Sequence, residues 1–137
     1  MNLLIINGVN LALLGSRETD VYGCTRFEDY LTSLRAKYPE VRLDYLQTDK
    51  VEEIAAAITG AKDVDGIILN PGAYTHTSIV IADAIKAVSV RVVEVHISNL
   101  FGREQFRRQS FIAPVCTGSI SGFGLKGYEL ALLTFIH

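Results

Sequence analysis

The segment Glu94-Val95-His96-Ile97-Ser98-Asn99 concentrates acid, imidazole and hydroxyl groups within six residues. On an extended strand, residues two apart share a face, so Glu94, His96 and Ser98 fall on one side and Val95 and Ile97 on the other. A carboxylate beside an imidazole fixes the ring's tautomer and favours its charged form, which suits a general acid. Ser98 and the neighbouring backbone amides can hold a carboxylate. A second group, Asn10, Arg17 and Tyr22, lies on one long Gly/Asn-rich loop that runs to Gly23. A guanidinium at ~4 Å favours a phenolate by about 4 kcal/mol at an effective dielectric of ~20, which draws a phenol down from about 10 towards working pH. Such a tyrosinate can serve as a general base. A surface arginine beside a packed tyrosine is the plainer alternative.

A third loop, Asn70-Pro71-Gly72-Ala73-Tyr74-Thr75-His76-Thr77-Ser78, runs into a helix and offers amide N–H groups and polar side chains to oxygen atoms. Asn70 can present its amide and His76 can orient a hydroxyl. Thr77 and Ser78 equally suit helix capping. The loop is neither a Walker loop nor a GxGxxG fingerprint, so nucleotide binding lacks support. Arg103 and Arg107, four apart, share a face if that segment is helical and suit an anionic or polyhydroxylated ligand. Tyr30, Tyr38, Tyr45 and Tyr128 read as packing residues. Cys24 and Cys116 give neither a disulfide framework nor a metal-ligand spacing and read as small hydrophobes.

The elements that must position these groups follow from periodicity. Leu3 to Ile6 reads as a buried strand. Thr25 caps a helix with Glu28 at the capping-box position and Phe27, Tyr30, Leu31 and Leu34 as its stripe. Val41 to Leu46 alternates as a strand, Asp49 to Thr59 is a helix, and Gly60 ends it. Gly66 to Leu69 is a third strand, Ser78 to Val88 a third helix, and Val90 to Val95 a fourth strand. The polar, basic stretch Ser98 to Gln109 has room for one short helix. Ile112 to Cys116 reads as a fifth strand that Pro114 confines to an edge. Tyr128 to Ile136 is a terminal helix. Alternation of this kind predicts an α/β flavodoxin-like three-layer sandwich with a five-stranded parallel sheet, whose ligands bind beyond the carboxyl ends of the strands.

The 137 residues fit a single domain, 1–137, with 49% hydrophobic residues and a formal charge of −2. No global basic field invites nucleic acid. The apolar run Asn2 to Ile6 is too short for a signal peptide or a membrane span, and with no disulfide framework a reduced cytoplasm is the expected location.

Together the loops resemble those of type II 3-dehydroquinate dehydratase, an enzyme of the shikimate and quinate pathways. The resemblance rests on Asn7-Gly8 with Asn10, Leu13-Leu14-Gly15, Arg17-Glu18, Tyr22-Gly23, Asn70 to Ala73, Thr75 to Ser78, Asp83-Ala84 and Glu94 to Asn99. Arg103-Glu104, Phe106-Arg107 and the glycines Gly118, Gly122 and Gly124 complete it. It implies anti elimination of water from 3-dehydroquinate, giving 3-dehydroshikimate through an enolate. On this likeness Tyr22 is the base, Arg17 lowers its pKa, and Asn10 holds a water that stabilises the enolate. His96 is the acid and Glu94 its partner. Asn70, His76, Ile97, Ser98 and Arg107 are implied to bind substrate, Ile97 and Ser98 through backbone amides, and Arg103 to support a lid. Asp83 is implied to reach a neighbouring subunit's site in trimers that pack into dodecamers. No metal, cofactor or Schiff-base lysine is implied. The chain departs from the family pattern at Val9, Ala12 and Thr19, and through the segment Gln47-Thr48-Asp49-Lys50-Val51-Glu52, which usually lies near subunit contacts. A non-catalytic binding module of the same fold would need no acid–base pair. A flavin or phospho-acceptor domain would need a phosphate-cradling loop or an acidic cluster after the first strand.

Overall fold

A computed structural model describes residues 1–8, 26–102, 104–105 and 109–136. Among them five strands form one parallel sheet: β1 (Asn2–Asn7), β2 (Arg42–Gln47), β3 (Gly66–Asn70), β4 (Arg91–His96) and β5 (Gly118–Ser121), in the order β2-β1-β3-β4-β5. Four α-helices cover it: α1 (Phe27–Lys37), α2 (Val51–Thr59), α3 (Ile79–Lys86) and α4 (Lys126–Ile136). This is the doubly wound order expected of the alternation.

Burial on both faces explains why the central strands read as unbroken apolar runs. Leu3, Ile5, Ile68, Val93 and Val95 pack against α1 and α4, with Phe27, Leu31, Leu34, Tyr128 and Phe135. Ile6, Ile67, Leu69 and Val92 pack against α2 and α3, with Ile54, Ile58, Ile81 and Ile85. The two-residue period therefore decides which layer each polar side chain at a strand end must enter. Asn7 and Asn70 enter the α1/α4 layer; Glu94 enters the opposite one.

One expectation is corrected. The fifth strand is not Ile112 to Cys116 but Gly118–Ser121. Residues Ala113–Val115 form a 3₁₀ turn with Pro114 as its second residue. Proline has no N–H to give a ladder and its fixed φ suits the start of a turn. Ile112, fully buried, fills the α2/α3 core from that turn. The strand itself carries one apolar side chain, Ile120, because β5 is an edge. Helix α1 begins at Phe27 with Arg26 in the capping position and no side-chain cap bond from it; the expected capping residue, Thr25, lies outside the described residues. Glu28 and Asp29 in its first turn and Arg35 and Lys37 in its last complement the helix dipole.

Helix α2 starts two residues later than Asp49. Thr48 Oγ accepts the Lys50 N–H at 3.1 Å and donates to Glu53. Ser78 caps α3, its hydroxyl accepting the Ile81 N–H at 3.1 Å.

Candidate active site

At the carboxyl end of β4, Glu94 and His96 leave the sheet on the α3 side. Glu94 is fully buried and His96 only 5% exposed. His96 Nε2 lies 2.5 Å from Glu94 Oε1. A ring that gives Nε2–H to the carboxylate keeps Nδ1 for a second partner. The same oxygen receives the Thr75 hydroxyl at 2.7 Å and the Ser110 hydroxyl at 2.7 Å, and Ser119 Oγ donates to Oε2 at 3.2 Å. Burial alone pushes this carboxyl upward. The hydrogen bond and charge of His96, with the Thr75 and Ser110 hydroxyls, outweigh burial and hold Glu94 below its ordinary value. The arrangement is an ionised, fully hydrogen-bonded carboxylate orienting one imidazole.

The loop after β3 lies beside it. Residues Gly72–His76 form a 3₁₀ turn entered through Gly72 at φ 65°, a conformation that glycine adopts without strain. Gly8 donates its N–H to the Asn70 carbonyl at 2.7 Å, and any Cβ on Gly8 would run into the Pro71 backbone. The loops after β1 and β3 therefore start in direct contact, at the switch point of the sheet. His76 Nδ1–H donates to the Gln109 carbonyl at 2.7 Å, and the Phe111 N–H to the Thr75 carbonyl at 2.8 Å. His76 thus keeps Nε2 for a second partner.

Tyr128 is more than a packing residue. Its ring sits edge-on to Phe27 at 4.9 Å, and its hydroxyl joins the ends of two strands. It donates to Asn7 Oδ1 at 2.7 Å and accepts from Asn70 Nδ2 at 2.9 Å, while Asn70 Oδ1 accepts the Gly72 N–H at 3.1 Å. Burial pushes the phenol far above its ordinary range, so it works as a neutral donor. A Tyr128→Phe variant leaves two buried amide groups without that partner, each worth ~1–3 kcal/mol, so a loss of about 3 kcal/mol and a Tm lower by roughly 10 °C are expected. Calorimetry at fixed protein concentration checks this; a Tm within ~2 °C of the parent contradicts it.

Of the residues picked out in the sequence, the structure brings together Glu94 and His96, and ties Thr75 and His76 to them through the 109–111 segment. Ile97 turns its side chain into the α1/α4 core and its carbonyl accepts the Gly124 N–H at 2.9 Å. Ser98 offers its carbonyl to the Ser121 hydroxyl at 3.1 Å. Asn70 commits one amide N–H to Tyr128. Asp83 stands exposed on α3, apart from this cluster in the described fold. Asn10, Arg17, Tyr22, Arg103 and Arg107 lie outside the described residues, as does Cys24. Sequence reasoning missed Tyr128 as a hydrogen-bonding group, and missed Ser110 and Ser119 altogether. Neither serine has a neighbour in the sequence that marks it; only the pairing of Glu94 with Ser119 across β4 and β5 places one of them.

Among the described residues no group of three or more His, Cys, Asp or Glu side chains is placed to hold a metal ion, and no helix is long and apolar enough to cross a membrane. A 240 Å³ cavity lined by Arg91, Val93, Gly118 and Phe135 opens at the opposite, amino-terminal ends of β4 and β5, away from the acid–base groups.

Comparison with known proteins points the same way as this geometry. The family model described as "Dehydroquinase class II" matches residues 1–136. A 3-dehydroquinate dehydratase of Caldicellulosiruptor saccharolyticus is 52% identical over 134 residues, 95% of this chain and 92% of that protein. One of Exiguobacterium sp. is 49% identical over 138 residues, 100% of this chain and 95% of that protein. The crystal structure of type II dehydroquinase from Butyrivibrio crossotus superposes with a TM-score of 0.94 at 42% identity, covering 100% of this chain and 98% of that one.

Proposed function

The chain belongs to the class II dehydroquinase family, and on that footing we propose that it eliminates water from 3-dehydroquinate to give 3-dehydroshikimate. The reaction is an anti elimination through an enolate. Tyr22, its phenolate favoured by Arg17, removes the proton next to the carbonyl, and Asn10 holds the water that stabilises the enolate oxygen. His96 then protonates the departing hydroxyl. The observation that carries this reading is the buried Glu94–His96 pair, an acid held in one orientation by an acceptor-only carboxylate.

Binding falls to the surrounding loops. The Ile97 and Ser98 amides take the substrate carboxylate, Asn70 and His76 take hydroxyls, Arg107 adds charge, and Arg103 supports the lid. Asp83, exposed on α3, completes the site of a neighbouring copy in a trimer-based dodecamer. Flux through a shikimate-type route to aromatic amino acids in a cytoplasmic setting suits such an enzyme.

Protein treated with a strong chelator is expected to convert 3-dehydroquinate to a product with enone absorbance at an undiminished rate. Activity lost on chelation and restored by a divalent metal would overturn the metal-free mechanism. No turnover at all would overturn the function. Light scattering on the same sample reads the assembly.

A further inference from the structure

Ser110 has no part in the reaction as described so far, yet its hydroxyl makes four polar contacts. A hydroxyl has one proton and two lone pairs. The lone pairs of Ser110 Oγ face the N–H groups of Ile112 at 3.2 Å and Ala113 at 3.0 Å. Its single proton must therefore be given away. The acceptors in reach are Glu94 Oε1 at 2.7 Å and Thr75 Oγ1 at 2.9 Å. Thr75 Oγ1 is itself 2.7 Å from Glu94 Oε1, so both routes end with a proton aimed at that oxygen.

A carboxyl protonated on Oε1 would give its hydrogen to His96 Nε2 and become a weaker acceptor for the Thr75 and Ser110 hydroxyls. The cage therefore favours the ionised carboxylate, and the proton between Glu94 and His96 stays on Nε2. The same segment is tied to the loop after β3 by the His76–Gln109 and Phe111–Thr75 bonds, so Ser110 cannot drift from Glu94 without moving His76 as well.

We propose that Ser110, assisted by Thr75, is a positioning residue of the general acid: its obligate donor holds Glu94 as an acceptor-only partner, so that Nε2–H stays on the His96 ring and Nδ1 carries the proton destined for the departing hydroxyl. This rests on the dehydratase reading above. Among the described residues, the titratable groups coupled to Glu94 are His96 on β4 and Cys116 from the 113–117 segment. Burial, and then the charge of Glu94, push the Cys116 thiol up to about 12, so it stays neutral at working pH.

Removing a donor from the charged form raises a carboxyl's pKa. A Ser110→Ala enzyme is expected to lose kcat by roughly tenfold with KM within about twofold, and the acid limb of its kcat–pH profile should move up by about one pH unit. Ser110→Thr keeps the hydroxyl and restores both. Thr75→Val removes the second donor at nearly constant shape and moves the limb the same way, which decides the matter if Ser110→Ala does not fold. The carboxyl ¹³C signal of Glu94, titrated without substrate, should move to higher pH in either deletion variant. Equal losses of kcat at every pH, or an unmoved Glu94 titration, would overturn the role of Ser110. A parent enzyme that does not turn over 3-dehydroquinate would overturn the reaction instead, and the ¹³C titration would still test the cage.

Discussion

Turnover of 3-dehydroquinate by a His96→Ala variant is expected to fall by about 10²–10⁴-fold, with KM changed by no more than about threefold. Hydroxide is a poor leaving group, and the proton that makes it water is needed only as the bond breaks. The imidazole therefore stabilises the transition state far more than the bound substrate. Its position favours that division: the ring is nearly buried and its Nε2 is tied to Glu94, which leaves Nδ1 for the substrate. Removing the ring also takes one donor from Glu94, but Thr75, Ser110 and Ser119 remain, so the fold is expected to survive. Steady-state kinetics with circular dichroism as the folding control decides it. A variant retaining a third or more of parental kcat would exclude His96 as the acid.

Why the sequence showed this pair and hid its support is a matter of range. Glu94 and His96 sit two apart on one strand, and period two alone puts them on one face. Their partners come from three other segments: Thr75 from the turn after β3, Ser110 from a stretch with no periodicity, and Ser119 from a strand with one apolar side chain. None can be placed without the tertiary fold. The misplaced fifth strand has the same origin. Ile112 and Val115 are apolar because they fill the α2/α3 core from a turn, whereas β5 is polar because its edge and its Glu94-facing side do not need apolar residues. Tyr128 was assigned to packing because a helix stripe records that a side chain points inward and says nothing of what its hydroxyl meets. The strand order, by contrast, was legible: fully buried strands alternating with amphipathic helices leave few other ways to cover both faces.

Tyr22→Phe should lose turnover over the same range, about 10²–10⁴-fold, but at a different step. A phenyl ring cannot take a proton, so the enolate never forms; without His96 the enolate forms but keeps its hydroxyl. The two losses separate in deuterium oxide. The phenolic proton exchanges with solvent, so an enzyme with Tyr22 but no acid should return deuterium to the carbon next to the carbonyl while making little product. His96→Ala is thus expected to label recovered substrate, and Tyr22→Phe to leave it unlabelled, as mass spectrometry of recovered 3-dehydroquinate would read. Labelling by Tyr22→Phe at the parental rate would mean that another group is the base. Absence of labelling in His96→Ala, with Tyr22 intact, would mean that proton removal and loss of hydroxyl occur in one step, and the enolate would have to be abandoned. The double variant adds a constraint: because proton removal precedes hydroxyl loss, deleting His96 from a Tyr22→Phe enzyme should cost much less than deleting it from the parent.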